Sequence, residues 1–77
     1  MDIKTKIAGT IKRIRAIRES KNLSQEQMGK KLGLSQNAYS KIEIGKTEIT
    51  LERLYQIAEI FEQPATYLIT GDDGANH

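Results

Sequence analysis

Residues 24–43 read S-Q-E-Q-M-G-K-K-L-G-L-S-Q-N-A-Y-S-K-I-E. Ser24 with Gln27 three positions on has the form of a capping box, in which the hydroxyl accepts from a first-turn amide and the glutamine reaches back. A helix over 24–32 follows, with Met28 and Leu32 four apart on one face and Gly33 as its stop. Ser35 then caps a second helix over 36–43, with Leu34 before it as an apolar staple. Gly29 sits inside the first helix, where Gly costs about 0.5–1 kcal/mol against Ala. A small residue there lets the second helix cross closely over the first. Met28, Leu32, Leu34, Tyr39 and Ile42 are the expected inward positions. Gln36, Asn37, Ser40 and Lys41 point outward, and none of them is acidic.

Working outward, Ile7, Ile11, Ile14 and Ile17 step by four, three and three, an apolar stripe that predicts a helix over 6–21. Asn22 suits the left-handed residue that ends it. After a loop over 45–50, Thr50 caps a helix over 51–62 whose apolar face holds Leu51, Leu54, Ile57, Ala58 and Phe61. Pro64 fits the first turn of a last helix over 64–69 that carries Tyr67 and Leu68. Five helices with no supported strand make an all-α, compact single domain over residues 1–69. Residues 70–77, ending G-D-D-G-A-N-H, read as a flexible tail.

The chain has 77 residues and no cysteine, and its one histidine is His77. Disulfides, thiolate metal sites and cofactor sites have no basis in this composition, and neither does a catalytic set. No apolar run approaches the ~20 residues that span a bilayer, and residues 1–7 lack the continuous apolar stretch of a signal peptide. The expectation is a cytoplasmic, non-enzymatic protein. Charge is unevenly placed. Residues 1–50 carry eleven Lys/Arg against five Asp/Glu, a net +6, whereas residues 51–77 carry one Arg against five Asp/Glu, a net −4. The basic part suits a polyanion, and the acidic part should face away from it.

Two short helices joined by a three- or four-residue turn with Gly form a helix-turn-helix. Gln and Asn bond bidentately to adenine, and Lys donates to guanine O6 and N7. An eight-residue helix is about 12 Å long and fits a major groove of about that width. Residues 14–47, I-R-A-I-R-E-S-K-N-L-S-Q-E-Q-M-G-K-K-L-G-L-S-Q-N-A-Y-S-K-I-E-I-G-K-T, resemble the Cro and phage-repressor family, also called the XRE family. L-E-R-L-Y-Q-I-A-E-I-F-E, residues 51–62, is similar to the family's fourth helix.

The resemblance covers residues 7–69 and implies a five-helix lambda-repressor-like domain whose third helix enters the major groove of double-stranded DNA. It implies base contacts from Gln36, Asn37 and Lys41, and phosphate contacts from Gln25, Ser35, Ser40, Lys46 and Thr47. It further implies a structural ion pair between Arg18 and Glu43. The implied activity is transcriptional regulation, as a repressor at a palindromic operator, with a homodimer formed through helices 4 and 5. Phage repressors, restriction–modification controllers and antitoxins all use this fold. An antitoxin whose partner-binding face matters more than its DNA contacts is the alternative. Four positions depart from the family pattern. Ile44 stands where Asn or Arg is common, which deletes a candidate phosphate contact. Asn22 stands for Gly, Gly29 for Ala, and Gln63 for an apolar residue, the last loosening the corner between helices 4 and 5.

Overall fold

The computed structural model describes residues 2–72, and it is all-helical there. The helices are α1 (Ile3–Ser20), α2 (Gln25–Leu32), α3 (Gln36–Glu43), α4 (Leu51–Phe61) and α5 (Ala65–Thr70). Residues 73–77 of the expected tail lie outside the described residues.

Side-chain oxygens start the first four helices. Ser24 Oγ accepts from Gln27 N at 3.0 Å while Gln27 Oε1 accepts from Ser24 N at 2.8 Å, the full capping box. Ser35 and Thr50 accept from Ala38 N and Arg53 N at 3.1 and 3.0 Å. α1 begins at Ile3 rather than at residue 6, because Asp2 is its cap and accepts from Lys4 N at 3.3 Å. The apolar stripe marks where a helix is covered, and the cap marks where it begins. Pro64 is the cap residue of α5, not its first turn, so that helix runs one residue later than expected.

The ends follow one backbone device. Asn22, Gly33, Gly45 and Glu62 all have left-handed φ, between 56° and 82°. After each, two amides turn back onto the preceding turn. Examples are Leu34 N to Gly29 O at 2.7 Å with Gly33 N to Lys30 O at 3.2 Å, and Gln63 N to Ala58 O at 3.0 Å with Glu62 N to Glu59 O at 3.1 Å. This pattern, the Schellman motif, satisfies carbonyls that a helix end would leave bare. The α4–α5 corner is therefore held by backbone bonds, the amide of Gln63 supplying one of them.

Ile14, Met28, Tyr39, Ile42, Leu54, Ile57, Ala58, Phe61 and Leu68 form the buried core, contributed by all five helices. Leu32 and Leu34 are half-buried and pack on its edge. Two expected core positions are not covered. Ile7 is 52% exposed and Leu51 is 66% exposed. α1 is fastened to α5 by polar bonds at the C-terminal end of the latter. Arg13 Nη1 donates to Leu68 O at 2.6 Å and Thr10 Oγ1 to Ile69 O at 3.4 Å. A guanidinium there also complements the negative end of the helix dipole.

Gly29 is buried where α2 meets the turn into α3. A Cβ at this position would lie 2.8 Å from Leu34 O and 3.0 Å from Ser35 O. Both are backbone atoms of a segment held by Leu34 N to Gly29 O at 2.7 Å and Tyr39 N to Ser35 O at 3.0 Å, so neither yields cheaply. An Ala at this position would therefore cost stability here. Gly29→Ala is expected to lower the unfolding free energy by about 1–2 kcal/mol, overpacking outweighing the gain in helix propensity. The midpoint of denaturant unfolding measures it, and a raised midpoint would show that the turn gives way.

Candidate nucleic-acid interface

α3 is held by its inner side and leaves its outer side bare. Tyr39 and Ile42 are buried, while Gln36, Asn37 and Lys41 are exposed and Ser40 is half-buried. The first three share one outer surface of a short helix, as side-chain spacing on a helix requires. Ser35 spends its hydroxyl on the α3 cap. Lys46 and Thr47 are exposed in the following loop, and their amides both donate to Lys41 O, at 2.9 and 3.1 Å. That pair of bonds holds the loop against the last turn of α3.

Beside α3 lies an open depression of about 540 Å³ whose lining includes Asn37, Lys41, Thr47, Glu48, Thr50 and Arg53. Sequence reasoning passed over Glu48 and Arg53. Arg53 had a signal: it is the lone basic residue of 51–77, three positions after the Thr50 cap. Its Nη1 donates to Leu32 O at 3.2 Å and to Gln56 Oε1 at 2.9 Å, which ties α4 to the end of α2.

The outer surface is oriented by a buried polar cluster centred on Glu43. Arg18 Nε donates to Glu43 Oε2 at 2.6 Å and Nη2 to Oε1 at 3.2 Å, a forked pair in which the Glu43 side chain is 2% exposed. Tyr39 Oη donates to Oε2 at 2.5 Å, and Gln25 Nε2 to Oε1 at 3.1 Å. Arg18 Nη1 also donates to Leu23 O at 2.7 Å. The cluster thus joins α1, the α1–α2 turn, α2 and α3. Gln25 is half-buried, with its amide committed to the C-terminal end of α3. No buried side-chain polar atom among the described residues lacks a partner.

These bonds set the charge states. Burial alone would raise the Glu43 carboxyl, but the donors Arg18, Tyr39 and Gln25 outweigh it and hold the group below its ordinary value of 4.5. Arg18 is raised, first by its hydrogen bond to Glu43. Tyr39 is raised, first by burial and then by the same carboxylate. At neutral pH the cluster is a carboxylate, a guanidinium and a neutral phenol, all mutually bonded.

Two helices crossing at a Gly-bearing turn, with the second bare on its outer side, are the geometry against which comparison with known proteins is informative. The family model described as Helix-turn-helix matches residues 14–68. The chain belongs to this family. Among curated relatives it is 36% identical over 59 residues to the SPbeta prophage-derived uncharacterized HTH-type transcriptional regulator YonR of Bacillus subtilis (strain 168), covering 77% of this chain and 55% of that protein. It is 32% identical over 59 residues to the uncharacterized HTH-type transcriptional regulator YqaE of the same organism, covering 77% and 51%. The chain therefore spans about half the length of the curated relatives it matches. No solved structure matches it significantly. No helix among the described residues is long and apolar enough to cross a membrane.

Proposed function

We propose that this chain is a sequence-specific binder of double-stranded DNA that represses transcription in a bacterial or phage setting, acting in the cytoplasm. The observation that carries the reading is the bare outer side of α3. Gln36, Asn37 and Lys41 stand exposed together there, on a helix locked from within by Tyr39, Ile42 and the Glu43 cluster. Rigid positioning suits base readout, because bidentate bonds to base edges need fixed donors and acceptors. In this reading α3 enters the major groove, and Gln25, Ser35, Ser40, Lys46 and Thr47 meet phosphates around its ends.

One recognition helix reads too few base pairs to single out an operator. The proposal therefore includes a two-fold homodimer through α4 and α5, at half-sites about 34 Å apart. Ile60 and Tyr67 are half-buried at the edge of the core there, and Ile69 is exposed.

Selection of bound sequences from a random DNA library, followed by titration at several salt concentrations, tests the proposal. The expected result is a short inverted repeat, with affinity falling roughly a thousandfold between about 50 and 200 mM salt if each dimer neutralises about six phosphates. Binding that ignores salt, or no binding at low salt, would refute it.

A further inference from the structure

Two apolar stripes are left uncovered by the described residues, and they carry opposite charge. The first is the start of α1. Ile14 is 1% exposed, yet Ile7 and Ile3 are 52% and 71% exposed. At about 100° per residue, Ile3, Ile7 and Ile14 all lie within about 40° of one another around the helix. They form one stripe, which continues past the point where the globule ends. Residues 2–8 are all exposed, so the first turns of α1 project without support. Isolated short helical segments are marginal in water and gain most of their stability from packing an apolar face. Lys4 and Lys6 flank the stripe on either side and form no ion pair among the described residues.

The second stripe is on α4. Leu51 and Tyr55 are 66% and 58% exposed, and they sit four apart on one line. Glu52 and Glu59 border that line on one side, about 100° and 80° around α4 from Leu51, exposed and likewise without an ion pair among the described residues. Ile60 lies about 140° around α4 from Tyr55, so this stripe is separate from the α4–α5 edge proposed for the two-fold dimer.

We propose that the projecting start of α1 docks on the Leu51–Tyr55 stripe of a second copy of this chain. Ile3 and Ile7 pack against Leu51 and Tyr55, with the glutamate edge of the α4 stripe drawn to the lysines that flank the α1 stripe. Charge complementarity selects this occupant: pairing α1 with α1 sets lysines against lysines, and pairing the α4 stripe with itself sets glutamates against glutamates. The two stripes are different surfaces, so the contact is head-to-tail. It can add a third copy at each free end, unlike a closed two-fold contact.

The test uses sedimentation velocity of the full chain at low salt, without DNA, so it stands apart from the DNA-binding proposal. The wild-type chain should show association that grows with concentration and weakens with added salt. Lys4→Glu with Lys6→Glu should weaken it by about tenfold or more, and so should Glu52→Lys with Glu59→Lys. All four positions are exposed, so each variant should remain helical, which circular dichroism checks. A mixture of the two variants should recover wild-type association, since each now offers the other a complementary pair of stripes. A mixture no more associated than its components overturns the proposal. So does association that neither variant alters, which would assign it to the α4–α5 edge. Binding of the wild-type chain to phosphatidylserine vesicles, with no self-association, would give the α1 stripe to an anionic membrane surface instead and equally overturns it.

Discussion

Glu43→Ala is expected to cost about 3–5 kcal/mol of stability, a large part of what a domain of this size possesses. The loss does not measure the worth of the ion pair. It measures what is stranded when the carboxylate goes. Arg18 then keeps its charge in a site where its side chain is 9% exposed, and Tyr39 Oη and Gln25 Nε2 lose their acceptor. The Arg18→Met, Glu43→Leu double change removes the stranded charge and should cost less than Glu43→Ala alone. The tyrosine hydroxyl is still orphaned in that double variant, at about 1–3 kcal/mol. Adding Tyr39→Phe should recover part of that, leaving an apolar cluster at the junction of α1 and α3. Denaturant unfolding of the series checks the order, and strictly additive single effects would show that the groups do not act together.

Acid gives a second reading of the same cluster. The folded carboxyl of Glu43 sits below its ordinary value of 4.5. Its contribution is therefore complete above about that pH and is lost as pH falls through the lower, folded value. The wild-type chain should lose more stability below pH 4.5 than the triple variant, which has no carboxyl there to protonate.

The sequence was most legible where local chemistry acts alone. Ser24, Ser35 and Thr50 cap their helices through bonds to amides three residues away, and Asn22 and Gly33 take left-handed conformations at the ends. These interactions lie within one turn, so spacing suffices to read them. The errors arose where coverage depends on distant parts of the chain. Ile7 lies on the right stripe, but no element among the described residues covers it, and Leu51 shares a side with buried Leu54 and Ala58 but stands at the first position of α4, where it stays exposed. Gly29 was legible as a small residue at a crossing. That its neighbours are two backbone carbonyls, which crowd even an Ala Cβ, follows only from the positions of Leu34 and Ser35.

The candidate site divides in the same way. Its outer residues were readable because helical spacing fixes what shares a side with Gln36. The Glu43 cluster was readable only as a pair, and only through resemblance to a family. Tyr39 reads as an inward apolar position, and nothing in its spacing says that its hydroxyl ends on Glu43. Gln25 reads, through the same resemblance, as a bridge between phosphate and the third helix, and its amide does reach α3, but nothing in the spacing says that the acceptor is Glu43, 18 positions away.

Gln36→Ala is expected to weaken binding to the selected operator by about 1–3 kcal/mol, roughly fivefold to 150-fold, and to relax preference at one base position. The residue is the first of α3, and the N-terminal residues of a recognition helix are those that reach base edges. Its truncation leaves the fold intact. Gln36 is exposed, the α3 cap runs from Ala38 N to Ser35 Oγ at 3.1 Å, and Ala is a better helix former than Gln. A loss of affinity is therefore a loss of contact. Lys46→Ala supplies the contrast. Lys46 is held by its own amide to the end of α3, and in the proposed complex its ammonium meets a phosphate. Removing it should weaken operator and random DNA alike and lower the salt slope by about one. The two variants thus separate readout from attraction, each by a quantity that the other leaves unchanged. If Gln36→Ala lowered specific and random binding equally, α3 would be lying on the backbone rather than in the groove, and the assignment of Gln36, Asn37 and Lys41 to bases would fall with it.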